Sequence, residues 1–168
     1  MDFTPSGTSR FTQANLAVRL TTDVRNIFST MVGIHDLLPL PVMSDLVTHF
    51  ENSVTAMVGL AGAYSGVVCL HAPRNLAKDF TSGMLGIELS ELDEDVHDAM
   101  GELANMIAGS FKNHLSRSGA NIRMSLPSII TGDKYIISTG GKTNDTLSLG
   151  FLTAQNCFLV SAVLEKDH

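Results

Sequence analysis

Glu102 and Asn105 stand one helical turn apart within Asp93 to Gly119, a stretch whose apolar residues recur at helical spacing. At about 100° per residue, Val96, Met100, Leu103, Ile107 and Phe111 form one stripe, while Asp98, Glu102, Asn105 and Gly109 cluster roughly opposite. A helix built this way buries one side and presents an acid and an amide on the other. The carboxylate suits a cation, and the carboxamide can both donate to and accept from a water molecule. Any solvated helix face can show such a pair, so the pair alone names no substrate. Its neighbours narrow the reading. Helix interiors disfavour Asn, and disfavour Gly by about 1 kcal/mol relative to Ala, yet Asn105 and Gly109 both occur here.

Charge marks the ends of that helix. Ser90, Glu91, Asp93, Glu94 and Asp95 open it, and Lys112, His114 and Arg117 precede Gly119 at its close. This polarity complements the helix dipole by about 0.3–1 kcal/mol per charge, which explains the acidic run without a metal. Earlier in the chain, residues 1–10 show no periodic face and read as a loose lead-in. A first helix is predicted over Thr12–Val32, with Leu16, Leu20, Val24, Ile27 and Met31 inward and Gly33 as its stop. A linker with Pro39 and Pro41 leads through an ambiguous segment, Ser44–Phe50, to Val54–Leu60 and Gly66–His71, read as a β-hairpin turning over Ala61–Ser65. Pro73 opens a short helix with Leu76, Phe80 and Met84 inward and Gly83–Gly86 ending it. Beyond the long helix, Ile122–Thr131, Lys134–Ser138, Asp145–Thr153 and Cys157–Glu165 read as strands of an antiparallel meander. Its turns are placed at Gly132-Asp133, Gly140–Asn144 and Gln155-Asn156. The order suggests a helix-then-strands unit used twice, and Asp23-Val24-Arg25-Asn26-Ile27 aligns with Glu102-Leu103-Ala104-Asn105-Met106.

Bulk composition excludes several functions. The 168 residues are 44% hydrophobic, which suits a single domain over 1–168 with a real core. A formal net charge of −6 and the lack of a Lys/Arg block argue against a nucleic-acid partner. The longest nearly apolar run, Met57–Leu70, is broken by Gly59, Gly62, Ser65 and Gly66 and is too short to span a bilayer. No basic-then-apolar leader opens the chain, so no membrane association or secretion is expected. Cys69 and Cys157 fall in strand-like segments and are expected as buried thiols in a reducing cytoplasm, with a disulfide between them left open. The histidines, His35, His49, His71, His97, His114 and His168, include no two spaced i,i+4 on a helix, so no metal site is predicted. Gly140-Gly141-Lys142-Thr143 ends like a phosphate-binding loop, but Ile136 stands where that loop requires glycine and a turn is the better reading. No Gly-x-Ser-x-Gly elbow supports a serine nucleophile.

The set Asp98, Glu102 and Asn105 followed by Pro127 resembles the signature of the CheC/CheX/FliY family of chemotaxis phosphatases. The single complete copy is that of its CheX-like members. The resemblance covers most of the chain, from Asn26–Gly33 through Gly62–Gly66 to the string Asp98–Gly109. It implies an α/β fold of the α+β type: a CheC-like antiparallel β-sheet packed by two long helices, in pseudo-repeated halves. It also implies a hydrolase that cleaves the aspartyl phosphate of a CheY-like response regulator, using Mg²⁺ held by the regulator and no cofactor or metal of its own. By that resemblance Asn105 orients the attacking water and Glu102 anchors to a regulator lysine, with Asp98, Gly109 and Pro127 on the partner-binding face. A cytoplasmic homodimer is implied as well.

Those residue types suit the chemistry. Hydrolysis of an acyl phosphate chiefly requires that water be positioned, and a neutral carboxamide does this without adding negative charge beside the phosphate. Asp23 and Asn26 are a degenerate second copy, because an Asp carboxylate reaches about 1.5 Å less far than that of Glu. A misplacement of about 1 Å costs a catalytic constellation roughly a hundredfold, so this copy is expected to be inactive. Two rivals stand beside the phosphatase. One is a non-catalytic module that binds and sequesters a receiver domain or motor-switch protein. The other, a structural assembly subunit, would be favoured if the face bearing Glu102 and Asn105 were buried.

Overall fold

Residues 6–41, 46–89, 91, 93–115, 121–138, 146–154 and 156–166 are described by a computed structural model, as backbone only at 6–14 and 166. In chain order they form α1 (Ser6–Met31), β1 (Leu38–Pro39), β2 (His49–Gly62), β3 (Tyr64–Pro73), α2 (Arg74–Leu85), α3 (Glu94–Leu115), β4 (Ile122–Met124), β5 (Ser128–Ile136), β6 (Thr146–Leu152) and β7 (Cys157–Lys166). The strands make one antiparallel sheet in the order β1-β6-β7-β3-β2-β4, with β5 pairing β2 further along. No helix among the described residues is long and apolar enough to cross a membrane.

Local chemistry sets the helix ends. Asp93 caps α3, its Oδ1 accepting from the N–H groups of Asp95 at 2.9 Å and Val96 at 3.3 Å, donors that a helix start otherwise leaves without partners. Gly33 takes φ +82° just past α1, and Gly86 takes φ +70° past α2 while donating its N–H to Ser82 O at 2.8 Å. α1 begins at Ser6 rather than Thr12, so part of the expected lead-in is helical. Apolar periodicity cannot report polar turns that join a helix by propagation alone.

The predicted hairpin is present and longer than its apolar runs. β2 and β3 pair from Ser53↔Pro73 to Leu60↔Gly66 and turn at Gly62, where a Cβ would lie 1.9 Å from the carbonyl oxygen of Asn121. Of the meander only the last hairpin is found, β6 pairing antiparallel with β7 from Thr146↔Val163 to Leu152↔Cys157. β5 pairs β2 on one side of the sheet, whereas β6 lies between β7 and β1 on the other. Gly132-Asp133, expected as a turn, lies inside β5, with Gly132 opposite Ser53 and Lys134 opposite Glu51. Only the Asn52–Asp133 pair is skipped there, where Asn52 takes φ +45°. The true interruption is Ser125–Pro127, between β4 and β5. Ser44, Ser90, Arg117, Gly119, Gly140–Asn144, Gln155 and His168 lie outside the described residues.

Sheet order displays the doubled unit. β3 and β7 pair at the centre, β2 and β6 flank them, and the first strand of each half crosses over, β1 to β6 and β4–β5 to β2. An approximate two-fold between β3 and β7 therefore exchanges the halves, with α2 extra to the first. The equivalence reaches single hydrogen bonds: Leu40 N–H donates to Gly150 O and Ser125 N–H to Gly59 O, each at 2.9 Å, just past the crossing strand.

Val54, Ala56, Val58, Val68, Leu70, Val160 and Ala162 point from the strands into a core shared with Leu20, Val24 and Phe28 of α1, Phe80 of α2 and the buried stripe of α3. Phe28 stacks on Phe158 with ring centres 4.7 Å apart and meets Phe80 edge-on at 4.8 Å, joining α1, α2 and β7. The alternating positions Thr55, Cys69, His71 and Ser161 occupy the other sheet face and are also buried. There His71 Nδ1 lies 2.8 Å from Thr55 Oγ1 and its Nε2 3.2 Å from Ser161 Oγ, with Phe50 stacked on the ring at 4.2 Å. Burial lowers the His71 pKa from 6.5 to about 4 and pushes the Cys69 thiol up to about 11. Both cysteines are free, and Cys157, expected to be buried, is exposed at the very start of β7.

His71 makes stability depend on pH. The unfolded imidazole titrates near 6.5 and the folded one near 4, so the unfolded chain binds more protons between those values. The contribution is complete above about pH 6.5 and is lost as pH falls toward 4, by about 3 kcal/mol in all. Urea midpoints measured between pH 7 and 5 should fall with pH, and His71→Gln should flatten that fall. An unchanged slope in the variant would assign the effect to other groups.

Candidate functional site

Burial fixes the rotation of α3 about its own axis. Val96, Met100, Leu103, Ala104, Ile107 and Ala108 are 0% exposed and Phe111 1%. Asp98, Glu102 and Asn105 consequently face outward and are exposed, as their spacing predicts. They line a shallow cleft of about 330 Å³ with His97, Gly101, Leu126, Pro127 and Ile129. One wall is α3, and the other is the junction of β4 with β5.

That junction is a β-bulge. Leu60 pairs with Met124 and Met57 with Ser128, so Val58-Gly59 stand opposite Ser125-Leu126-Pro127. Ser125 substitutes for the missing ladder: its N–H donates to Gly59 O at 2.9 Å, and its Oγ accepts from Gly59 N–H at 2.8 Å while donating to Leu126 O at 2.9 Å. Pro127, which has no N–H to give a ladder, suits this position. It packs on Gly101, where a Cβ would meet Pro127 Cβ at 3.3 Å and Ile129 Cδ1 at 3.6 Å. Gly109 lies outside the cleft lining, and a Cβ there would meet nothing within 4 Å.

An exposed carboxylate and an exposed carboxamide one turn apart can grip a cation and orient a water. The lining contains no Ser, Thr, Cys or Lys, and no cluster of His, Cys, Asp or Glu able to hold a metal occurs among the described residues. His97, Gly101 and Leu126 join the cleft without having been picked out from the sequence. Gly101 carried a usable signal, a glycine inside a helix and next to the acid. Leu126 carried none, because only the bulge turns it outward.

The second copy is arranged differently. Asn26 is exposed and lines a cleft of about 190 Å³ with Thr22, Arg25, Ser29 and His35, where Ser29 Oγ lies 2.7 Å from His35 Nδ1. Asp23 does not join it. Its Oδ2 instead accepts from Nε2 of His114 near the end of α3, both side chains being largely buried at 28% and 22% exposure. The expected polar face on α1 is therefore split: the amide is open to solvent and the acid is engaged between the two long helices. A double-mutant cycle of Asp23→Ala and His114→Ala, read by urea unfolding, should give a coupling of about 1 kcal/mol. Additive losses would show that the contact contributes nothing to helix pairing.

Fold and site define a class of protein: two pseudo-repeated halves on one antiparallel sheet, with an acid and an amide displayed on a long helix beside a strand bulge. A family model described as chemotaxis phosphatase CheX matches residues 54–148, and the chain belongs to that family. The CheY-P phosphatase CheX of Thermotoga maritima is 26% identical over 121 residues, covering 70% of this chain and 78% of the relative. A chemotaxis protein CheX from Desulfovibrio desulfuricans has a crystal structure that matches with a TM-score of 0.77 at 29% identity, over 90% of this chain and 99% of that one. The fold recurs, with a TM-score of 0.73 at 20% identity over 89% of this chain and 98% of the other, in a CheX–CheY–BeF₃–Mg²⁺ complex from Borrelia burgdorferi.

Proposed function

We propose that this chain hydrolyses the aspartyl phosphate of a CheY-like receiver domain, with Asn105 orienting the attacking water and Glu102 pairing with a receiver lysine. The observation that carries the reading is the shared exposure of Glu102 and Asn105 on α3, above a cleft lined without Ser, Thr, Cys or Lys. Such a lining offers positioning rather than hydroxyl, thiol or amine nucleophiles. Membership of the CheX family and the relative in Thermotoga maritima, a CheY-P phosphatase, support it.

In the reaction a water oxygen bonds to phosphorus while the bond from phosphorus to the aspartyl oxygen breaks. Aspartate leaves as carboxylate, the water's proton passes to a phosphate oxygen and on to solvent, and inorganic phosphate is released. The Asn105 carboxamide oxygen accepts from the water without bringing negative charge to an anionic phosphoryl group, which a carboxylate there would repel. Glu102 meets a cation instead and sets the register of docking. Mg²⁺ bound by the receiver, not by this chain, supplies charge neutralisation at the phosphoryl oxygens. Asp98 and Pro127 border the docking face, and the open space at Gly109 leaves room for a partner to approach.

Phosphate release from a receiver charged with acetyl phosphate tests the reading. Asn105→Ala should lower turnover by about a hundredfold or more with receiver binding retained, and Glu102→Ala should damage both. Asp23→Ala with Asn26→Ala should change turnover little, whereas equal losses from the two double variants would mean two working sites. Tight binding of phosphorylated receiver without release above the receiver's own rate would make the chain a sequestering module.

The working form in this proposal is a cytoplasmic homodimer. β5 is paired only by β2 among the described residues and ends at Ile136, which is 66% exposed, so it offers an edge for a second copy. Light scattering should give twice the chain mass, and Ile136→Lys should move it toward one. A monomer at all concentrations would exclude the dimer.

A further inference from the structure

We infer that Leu126 is the apolar anchor through which this site holds the phosphorylated receiver, and that the Ser125 hydroxyl is the positioning group that aims it. The inference rests on the phosphatase reading for the identity of the partner, and it begins from an imbalance of charge at the site. Asp98 and Glu102 both border the cleft, on a chain of net charge −6, while the partner brings a phosphoryl dianion. One carboxylate can be matched by a receiver lysine and the receiver's Mg²⁺ offsets the phosphoryl charge, but the second carboxylate is left without a counter-charge. A contact that carries no charge adds adhesion that does not depend on this balance.

Leu126 supplies that contact. Leu126 is 88% exposed, more than Val18 at 67% or Ile136 at 66%, and it stands on the cleft rim beside Asp98, Glu102 and Asn105. It is not a loose loop residue. On one side Ser125 is tied to Gly59 through its N–H, which donates to the Gly59 carbonyl, and through its hydroxyl, which accepts from the Gly59 N–H and donates to the carbonyl of Leu126 itself. On the other side Pro127 rests against Gly101. An exposed leucine held between two fixed neighbours loses little freedom on binding, so most of the free energy of its burial is available to association. The occupant that fits is the receiver surface flanking its phosphoryl group, through an uncharged apolar patch within one side chain's reach of the lysine that meets Glu102.

The test is affinity for a receiver loaded with Mg²⁺ and beryllofluoride, measured beside KM and kcat for the phosphorylated receiver. Leu126→Ala should weaken binding and raise KM by about tenfold, with the loss concentrated in KM rather than kcat. Ser125→Ala should raise KM several-fold, and Ser125→Thr, which keeps the hydroxyl, should restore it. Binding and KM unchanged in Leu126→Ala would overturn the inference, as would a loss confined to kcat. A change in self-association with receiver affinity unaltered would also overturn it, making Leu126 a contact between copies. Because beryllofluoride binding requires no turnover, a wild type that binds without hydrolysing would overturn the phosphatase reading while a tenfold loss in Leu126→Ala still upheld the anchor. A wild type that does not bind the loaded receiver would overturn both.

Discussion

Gly101 and Pro127 meet where the outer face of α3 crosses the junction of β4 and β5, and the geometry of the site depends on that contact. The buried stripe from Val96 to Phe111 already fixes which way the helix faces. What it does not fix is how far the helix stands from the strands beneath. Glycine in a helix interior costs about 1 kcal/mol relative to alanine, and at 101 that cost is offset by letting the proline ring rest against the helix backbone. Glu102 and Asn105 thereby gain a wall, Leu126-Pro127, instead of projecting from an open ridge. The same contact braces the bulge from above while Gly59 holds it from the side.

The two halves share one plan, and their difference can be traced to where their helices stop. The offset that aligns Asp23 with Glu102 and Asn26 with Asn105 also aligns His35 with His114. In the second half α3 runs on to Leu115 and carries His114 to Asp23. In the first half α1 ends at Met31, the backbone turns at Gly33, and His35 meets Ser29 instead. One extra turn of helix therefore occupies the acid of one copy, and its absence leaves Glu102 open. Equivalent positions differ in their surroundings: one acid joins the long helices and the other faces solvent.

How much of this could be read from the sequence depends on the kind of signal each feature leaves. The stripe of α3, the acidic charge at its start and the glycine ends of α1 and α2 were legible because each arises from neighbours in sequence. The outward placement of Asp98, Glu102 and Asn105 followed from the same periodicity. Strand pairing was less legible. Gly132-Asp133 has the composition of a turn, yet β2 is long enough to pair on both sides of it, and that length is a property of another segment. The break at Ser125–Pro127 left only a proline as its trace, so Leu126 passed unnoticed. Cys157 looked buried by composition and is exposed because it opens its strand beside Asn156. The engagement of Asp23 by His114 joins residues far apart in sequence through helix packing, which no local pattern encodes.

β2 is where the requirements of stability and of the site converge. Its inward residues, Val54, Ala56 and Val58, lie in the core, and its outward Thr55 holds His71 of β3. Further along, Gly59 carries the hydrogen bonds that anchor Ser125. Because β3 lies on one side of it and β4 and β5 on the other, Gly59 belongs to a strand held from both sides, unlike an edge. A bulge anchored there inherits the rigidity of the sheet interior. That matters for a site proposed to hold a water and a partner in place, since a displacement of about 1 Å is enough to lose roughly a hundredfold in rate. Helix α3 could tolerate some sliding if it met a mobile loop. Set against a bulge fixed to the most fully paired strand, it holds Asn105 at one depth beside the wall that Leu126 and Pro127 form.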